Sequence, residues 1–219
     1  MSMPWERAQT VQKVAQLGDG RVMILIPHRS ESGYREWEDW WRHKLKKPPN
    51  TGWLEQRGVS LTTNRTGLVR EALKTDANYF LFLDDDVIGP DDMLLTLLSY
   101  KLPIVCGLYM AKKKKEERAL AAWMRSGSGY APIALEQPAR MVQVDTTGLG
   151  AALIHRSVFE RVPQPWFVWE WDGVSEDFYF FERVNSEIGV KPIIDMECKM
   201  WHIGLHKVFT DGTFTTLEM

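Results

Sequence analysis

The sequence predicts an α/β fold in which buried strands alternate with amphipathic helices. The clearest evidence is the uncharged segment Tyr79–Leu83, which runs directly into the three carboxylates Asp84, Asp85 and Asp86. An apolar run of this length between two amphipathic patterns is typical of a buried strand in a parallel sheet. In such sheets ligands bind beyond the carboxyl ends of the strands, so we expect these acids to lie where substrates arrive.

Size, charge and cysteine content exclude several classes of protein. With 219 residues, 44% of them hydrophobic, the chain is long enough for one sizeable domain and short for two. A formal net charge of −2 lacks the basic surplus that would neutralise a nucleic-acid backbone. No apolar run approaches the ~20 residues that cross a bilayer, and residues 1–16 show no signal-peptide core. Cys106 and Cys198 form no Cys-x-x-Cys pair, so we expect no zinc, no disulfide and a cytoplasmic location.

The first half of the chain alternates strand and helix patterns. Strands are predicted over 22–26, where Pro27 ends the strand, within 53–61, over 79–83 and over 104–109. Helices are predicted over 34–47, around 68–73 and from about 89 to 98. Their predicted buried positions are Trp37, Trp40, Trp41, Leu45, Leu68, Val69, Ala72, Leu73, Leu94, Leu95, Leu97 and Leu98.

Beyond residue 110 the pattern changes. The segment 111–132 combines lysines, a Ser-Gly-Ser-Gly stretch and an isolated Trp123, which predicts a mobile excursion that could act as a lid. Ser175 is expected to cap a helix. The remaining predicted features are strands at 142–144, 151–155, 192–195 and 198–202, a hairpin turning at 211–212, and buried helical positions Phe178, Phe181, Val184 and Ile188.

The acidic cluster and a late histidine suggest a metal site. In an extended strand, Asp84 and Asp86 would point one way and Asp85 the other, an Asp-x-Asp arrangement suited to a hard divalent cation. One cation could bind Asp86 and His202 and still accept water and two phosphate oxygens. The mixed oxygen and imidazole ligands favour Mn²⁺ somewhat over Mg²⁺. Acids at a strand end are also often solvated, and a lone histidine is more often structural.

Two other segments contain candidate functional residues. Glu176 and Asp177 lie at a predicted helix start, where Asp177 could take a proton from an acceptor hydroxyl. The helix dipole favours the ionised form of Asp177, and it also explains acids at this position without any function. Gly148 and Gly150 would let the backbone approach a ligand closely, although such glycines also occur in ordinary turns.

Several segments occur in an order that is familiar from one group of enzymes. They are Thr63–Leu73, Phe82–Val87, Val105–Tyr109, Thr147–Phe159, Pro165–Phe167, Ser175–Phe180 and Met200–Gly204. Together they resemble the GT-A glycosyltransferases, and among these the family 2 nucleotide-sugar transferases. The resemblance implies an α/β fold with a GT-A (Rossmann-like) mixed sheet flanked by helices, in a single domain spanning 1–219. Its nucleotide-binding half would cover about 21–110, and its acceptor and metal half about 111–219.

The resemblance also implies an activity and a set of site residues. A nucleoside diphosphate sugar would donate its sugar to the hydroxyl of an unidentified acceptor, with Mn²⁺ or Mg²⁺ as cofactor. Asp86 and His202 would bind the metal, and Asp84 would contact the metal or the ribose. Asp177, next to Glu176, would be the catalytic base. The donor would be bordered by Pro27, His28, Arg29, Arg65, Asp84, Asp85, Gly148 and Gly150.

Departures from the family pattern leave alternatives open. Glu55, Gln56 and Arg57 stand where family 2 enzymes commonly have Asp-Gly-Ser, and no Gln-x-x-Arg-Trp motif occurs, so we do not expect a processive synthase. Inverting and retaining outcomes both remain possible. A phosphatase of the haloacid dehalogenase type also has Asp-x-Asp after an apolar strand, although Ile88 replaces its usual Thr or Val. The third alternative is a non-catalytic module that binds nucleotide or sugar.

Overall fold

A computed structural model describes residues 21–28, 34–111, 119–134, 139–169, 174–203, 206–208 and 214–216, the last two ranges by their backbone alone. The strands are β1 (Val22–Pro27), β2 (Gly52–Gln56), β3 (Tyr79–Leu83), β4 (Val87–Ile88), β5 (Ile104–Leu108), β6 (Ala122–Ser126), β7 (Gly129–Pro132), β8 (Met141–Gln143), β9 (Thr146–Thr147), β10 (Ala151–His155), β11 (Ile193–Lys199), β12 (Trp201–His202), β13 (His206–Val208) and β14 (Phe214–Thr216). The helices are α1 (Arg35–Asp39), which continues into a π-helical turn (Trp40–Lys44), α2 (Leu61–Ala72), α3 (Met93–Ser99), α4 (Arg156–Arg161) and α5 (Glu176–Ile188).

The main sheet has the strand order β2-β1-β3-β10-β5-β11-β8 among the described residues. Strand β1 pairs in parallel with β2 and β3, and β11 with β5, whereas β10 runs antiparallel to both β3 and β5. The expected mixed α/β sheet flanked by helices is therefore confirmed. The parallel environment predicted for Tyr79–Leu83 is wrong on one side, where Leu153 of β10 lies opposite Leu81. A strand buried on both faces is apolar throughout, so its hydrophobic pattern does not reveal the direction of its neighbours.

Two smaller sheets complete the described fold. One has the order β14-β13-β12-β4 and the other β7-β6-β9. The first is important for the site, because β4 begins one residue after Asp86 and pairs with β12, placing His202 opposite Val87. The predicted terminal hairpin is present as the pairing of β13 with β14, and its turn at 211–212 lies outside the described residues. No helix in the described part of the chain is long and apolar enough to span a membrane.

Apolar side chains cover both faces of the main sheet. On one face, Phe159 of α4 stacks on Phe80 and Phe180 with ring centroids 5.7 and 5.4 Å apart, and it meets Trp166 edge-on at 5.7 Å. The other face is covered by the tryptophans of α1 and the π-helical turn. Trp37, Trp40 and Trp41 are all buried, as predicted.

Several element boundaries differ from the predictions. The helix predicted over 34–47 changes to a π-helical turn after Asp39 and ends at Leu45. The strand expected within 53–61 stops at Gln56, because Ser60 caps α2 by accepting a hydrogen bond from the Thr63 amide. The strands predicted at 192–195 and 198–202 are one strand, β11, with an irregularity after Asp195, followed by the short β12.

The segment 111–132 is more regular than predicted. Its residues 112–118 lie outside the described part of the chain. The remainder contains the hairpin β6–β7, which pairs through β6 with β9. Trp123, the residue that suggested an excursion, packs on Phe178 of α5 with ring centroids 5.0 Å apart. The period-2 pattern of the hairpin is weak because polar Arg125 shares the side of Trp123 that contacts α5, whereas apolar Met124 on the other side is 42% exposed. A lid function stays a prediction.

Burial along two helices also differs in detail from the predictions. In α3, Leu95 is 40% exposed, whereas Met93 is buried. In α5, the fully buried side chains are Phe180, Phe181 and Val184, whereas Phe178 and Ile188 are only partly buried. Ser175 precedes α5, but its side chain makes no capping hydrogen bond.

We predict that Phe159→Ala lowers the free energy of unfolding by about 3–5 kcal/mol, because a fully packed aromatic side chain is replaced by a cavity. Urea unfolding followed by circular dichroism measures this. Val59→Ala, at a position that is 50% exposed, is the control and should change stability by no more than about 0.5 kcal/mol. Equal losses in the two variants would contradict the assignment of the core.

Candidate functional site

A buried arginine lies at the centre of the candidate site. The Arg65 side chain is 1% exposed, and its Nη2 donates to both carboxylate oxygens of Asp84, at 3.0 and 3.2 Å. Its Nη1 donates to Asp177 Oδ1 at 2.7 Å and also to Glu176 Oε1. Arg65 therefore joins the end of β3 to the first turn of α5, 111 residues later in the chain.

Local structure explains how Arg65 reaches this position. Arg65 lies in the second turn of α2, whose start is defined by the Ser60 cap. The neighbouring Asn64 is also buried, and its amide donates to the His28 carbonyl at the end of β1 at 3.0 Å. This bond ties the start of α2 to the main sheet, so the guanidinium extends along the carboxyl ends of β1 and β3 rather than into solvent.

The charges around Arg65 do not balance. Three carboxylates surround one guanidinium, which leaves two negative charges in excess if all three acids are ionised. Burial lowers the pKa of Arg65, but Asp84, Asp177 and Glu176 raise it more, so the guanidinium stays charged. Among the described residues, Glu176 Oε2 and Arg65 Nε are buried without hydrogen-bond partners. This centre therefore has unused capacity for a proton, a cation or a polar ligand.

The ionisation of Asp177 differs from the prediction. Burial raises its pKa, and the neighbouring charges of Glu176 and Asp84 add to the rise, although Arg65 opposes it. Its side chain is still 21% exposed, so solvent limits the effect. The expectation that the helix dipole dominates and favours the ionised form was wrong, because loss of hydration and two nearby carboxylates outweigh a dipole at a helix end. A higher pKa makes Asp177 a stronger base once it is ionised.

Asp86 and His202 lie side by side, although 116 residues separate them in the chain. The distance from His202 Nε2 to Asp86 Oδ1 is 3.1 Å, and both side chains are buried. The other ring nitrogen, Nδ1, lies 3.0 Å from the Met110 carbonyl oxygen. Since a carbonyl only accepts hydrogen bonds, Nδ1 carries a proton and Nε2 faces Asp86. The backbone supports this pair, because the Ile203 amide donates to the Asp86 carbonyl at 2.6 Å.

The three acids each have a different partner, and the Asp-x-Asp pair stays a prediction. Strand β3 ends at Leu83, and Asp85 and Asp86 lie in a turn, so the strict alternation of an extended strand is lost. Asp84 contacts Arg65, Asp85 contacts His28, and Asp86 contacts His202. Among the described residues, no group of three His, Cys, Asp or Glu side chains could hold a metal ion by itself. The metal-binding roles of Asp84, Asp86 and His202 stay predictions.

His28 is buried and contacts other side chains instead of facing solvent. Its side chain is fully buried, with Nδ1 2.9 Å from Asp85 Oδ2 and Nε2 3.2 Å from Glu55 Oε2. Arg57 Nη2 also donates to Nε2 at 3.1 Å. Burial raises the pKa of Asp85, although the hydrogen bond from His28 opposes the rise. Glu55 and Arg57, at 23% and 32% exposed, reach the surface here. The sequence analysis identified Glu55 and Arg57 only as a departure from the family pattern. The parallel pairing of β1 with β2 shows that both residues contact His28.

Gly148 and Gly150 lie against a buried tyrosine. A Cβ atom at Gly148 would overlap the Tyr109 hydroxyl, and one at Gly150 would come within 3.0 Å of it. The Gly150 amide donates to that hydroxyl at 2.9 Å. The Tyr109 ring also meets His202 edge-on, with ring centroids 5.5 Å apart. Both glycines therefore have a packing role. Tyr109, to which the sequence analysis gave no individual role, lies between the Asp86–His202 pair and the Arg65 cluster, which consists of Arg65, Asp84, Glu176 and Asp177.

The structure thus brings most of the predicted site residues to one edge of the sheet. Burial raises the pKa of Tyr109 well above its ordinary value, with Asp84 and Asp177 adding to the rise, which reflects how near these groups lie. Pro27 is buried as the last residue of β1. Arg29 lies outside the described residues. Contact of these side chains with a donor stays a prediction.

Comparison with known proteins provides evidence on the fold alone. No family model matches the sequence, and no curated protein matches it. The chain is similar in structure to A197 from STIV, solved by crystallography, with a TM-score of 0.68 and 18% identity over 91% of this chain and 95% of that one. At this identity the likeness indicates a shared fold, and function has to be argued from the site.

We predict that Arg65→Met destabilises the protein by about 3–5 kcal/mol at pH 8, because three carboxylates lose their buried counter-charge. Arg65 opposes the rise in the pKa of Asp177, so without Arg65 that folded pKa rises further above the unfolded one. Stability is then lost as pH rises, and the deficit should shrink at pH 5. Urea unfolding at both pH values measures this. Arg70→Met, on the exposed side of the same helix, should cost less than about 1 kcal/mol at either pH. A deficit independent of pH would contradict the charge argument.

Proposed function

We propose that the protein is a metal-dependent glycosyltransferase of the GT-A type that moves a sugar from a nucleoside diphosphate donor to an acceptor hydroxyl. The principal support is the pairing of Asp86 with His202 at the end of the acidic strand. This pair lies at the same edge of the sheet as a carboxylate base candidate, Asp177. A mixed sheet with the acidic strand near its centre agrees with the GT-A arrangement.

The geometry of the pair fits two neighbouring ligands of one cation. Metal–oxygen distances of about 2.1 Å at right angles place adjacent ligand atoms ~3.0 Å apart, close to the 3.1 Å between Asp86 Oδ1 and His202 Nε2. The bond from His202 Nδ1 to the Met110 carbonyl holds the ring so that Nε2 can offer its lone pair. Two protein ligands would leave positions for the diphosphate oxygens and water. A bound Mn²⁺ or Mg²⁺ would neutralise the charge that develops on the departing diphosphate.

The Arg65 cluster provides the groups for acceptor activation. Asp177 would accept the proton of the acceptor hydroxyl while that oxygen bonds to the anomeric carbon. The bond from that carbon to the diphosphate oxygen breaks, and the nucleoside diphosphate departs with the electron pair. Arg65 orients Asp177 through the 2.7 Å hydrogen bond, and Glu176 shares the same guanidinium. This assignment applies to an inverting reaction, in which the acceptor attacks from the side opposite the leaving group.

The arrangement of Asp84 argues against the phosphatase alternative. A haloacid dehalogenase-type enzyme would use Asp84 as a nucleophile. Here both oxygens of Asp84 accept hydrogen bonds from Arg65, and the residue is 8% exposed. These bonds withdraw electron density from the carboxylate and restrict the approach of a phosphate ester, so Asp84 is better suited to positioning than to attack.

We predict that Mn²⁺ and one nucleoside diphosphate together raise the melting temperature more than either does alone, because both bind the folded state. Differential scanning fluorimetry with UDP, GDP, ADP, CDP and dTDP tests this. Asp86→Asn and His202→Gln should each weaken Mn²⁺ binding by at least about tenfold.

Matched surface variants control for the chemical change itself. Asp39→Asn and His43→Gln alter exposed residues outside the site and should retain the full response. A response to Mn²⁺ that survives in both Asp86→Asn and His202→Gln would eliminate the pair as a metal site.

We predict that Asp177→Asn lowers the rate of sugar transfer by at least about 10²-fold, since the general base is lost, while binding of Mn²⁺ and nucleotide is retained. The transfer rate of the unaltered protein should rise with pH over a range above that of an ordinary aspartate, because the pKa of Asp177 is raised. Chromatographic quantification of the released nucleoside diphosphate and of the product measures both. If the transfer rate of Asp177→Asn stays within a few-fold of that of the unaltered protein, another residue must be the base.

A further inference from the structure

A second polar pocket lies between the β6–β7 hairpin and the outer face of α5. Its volume is about 370 Å³, and its lining includes Arg125, Tyr130, Tyr179, Glu182 and Asn185. This volume falls within the range of ordinary small-ligand sites. None of these residues belongs to the site around Arg65, and the proposed transfer reaction assigns no role to any of them.

The pocket lies apart from Asp177, the proposed catalytic base. Glu182 and Ser186 follow Asp177 by five and nine residues, or about 8 and 14 Å along a helix. At 3.6 residues per turn, both lie on the side of α5 away from Asp177, whereas the buried residues Phe181 and Val184 share the side of Asp177. A molecule in this pocket would therefore not occupy the Arg65 cluster.

The hairpin wall of the pocket is held in place by polar and aromatic contacts. Arg125 Nη2 donates to Tyr130 Oη at 2.9 Å and to Glu182 Oε1 at 2.7 Å, and the Tyr130 hydroxyl donates to the same Glu182 oxygen. The Tyr130 ring packs edge-on against Phe178, with centroids 4.9 Å apart. These contacts join the hairpin to α5, so the pocket is formed before any ligand arrives.

The charges around the pocket are balanced. Each cation at its rim has an acidic partner, at distances of 2.7, 3.1 and 2.6 Å, in the pairs Arg125–Glu182, Arg183–Glu187 and Lys191–Asp145. Among the described residues that line the pocket, Arg125 and Arg183 are matched by Asp145 and Glu182, without the surplus of positive charge that selects phosphate or sulfate groups. The surroundings therefore favour an uncharged ligand over an anion.

The groups left for a ligand are planar hydrogen-bonding groups beside aromatic rings. Among the described residues, the Asn185 side-chain amide has no partner, and Arg125 uses only one of its three nitrogens. The amide can both donate and accept and the guanidinium can donate, which suits neighbouring hydroxyl groups. Arg125 lies over the Tyr130 ring at 5.0 Å and Arg183 over the Tyr179 ring at 5.9 Å. The ring surface that these guanidinium groups leave uncovered can pack against C–H groups. This combination matches the alternating polar and apolar surface of a sugar ring.

We propose that this pocket binds an uncharged saccharide, at a site that is separate from the transfer site and does not depend on the proposed function. The saccharide is held by Asn185, Arg125 and the rings of Tyr130 and Tyr179. Neither a metal nor a nucleotide takes part in this binding.

Saturation-transfer NMR with the full chain tests the proposal, using maltotriose, cellotriose, mannotriose, galactotriose and tri-N-acetylchitotriose as neutral probes and trigalacturonic acid as the anionic comparison. At least one neutral trisaccharide should bind without Mn²⁺ or nucleotide. Ser186→Trp, which fills the pocket, and Asn185→Ala, which removes the amide, should each weaken binding by about tenfold or more. Circular dichroism melting curves verify that both variants are folded.

Ser99→Trp is the matched control, because it makes the same change at an exposed position at the end of α3, outside both sites, and should leave saccharide binding unchanged. Failure of the transfer reaction would not affect this result, because the binding needs neither metal nor nucleotide. The proposal is overturned if no neutral probe binds, if trigalacturonic acid alone binds, or if Ser186→Trp and Asn185→Ala bind as well as the unaltered protein.

Discussion

The candidate site depends on one buried guanidinium. Arg65 accounts for the proximity of Asp84, Glu176 and Asp177, because without a counter-charge three carboxylates in a region of little solvent would repel one another. The same interaction connects the end of β3 to the start of α5, so it positions both the acidic strand and the base candidate. With all three acids ionised, two negative charges remain in excess at the site. Burial raises the pKa of Asp177, and the charges of Glu176 and Asp84 add to the rise. The excess of negative charge also makes the region attractive to cations.

Two backbone pairings bring the other half of the site into place. The insertion of antiparallel β10 between β3 and β5 carries the glycine segment to the ends of the central strands, where Gly148 and Gly150 make room for Tyr109. The pairing of β12 with β4 brings His202 to Asp86. Both pairings involve segments remote in sequence. Ala151 pairs with Leu83, the neighbour of Asp84, and His202 pairs with Val87, the neighbour of Asp86. The chemistry of this edge thus depends on sheet topology as much as on side-chain identity.

The saccharide pocket follows a different principle. The Arg65 cluster is buried and unbalanced in charge, whereas the pocket on the outer face of α5 is open and balanced. Opposite faces of one helix therefore support two kinds of recognition. One face holds the charged groups around Arg65, and the other presents planar polar groups beside tyrosine rings. A protein that acts on one part of a large substrate and holds another part would benefit from such a division.

The sequence by itself determined the α/β class, the buried strand before the three acids, the tryptophan core and the helix that begins at Glu176. These follow from local composition and periodicity, which reflect which faces are buried. It also identified Asp86 and His202 as possible partners, from the chemistry of metal ligands and from a resemblance. Tertiary structure alone decided that β10 runs antiparallel, that the three acids have three different partners, that Tyr109 lies between the glycines and His202, and that Asp177 has a raised pKa. The reason is that strand direction, long-range contacts and loss of hydration depend on residues about a hundred positions apart, which no local pattern records.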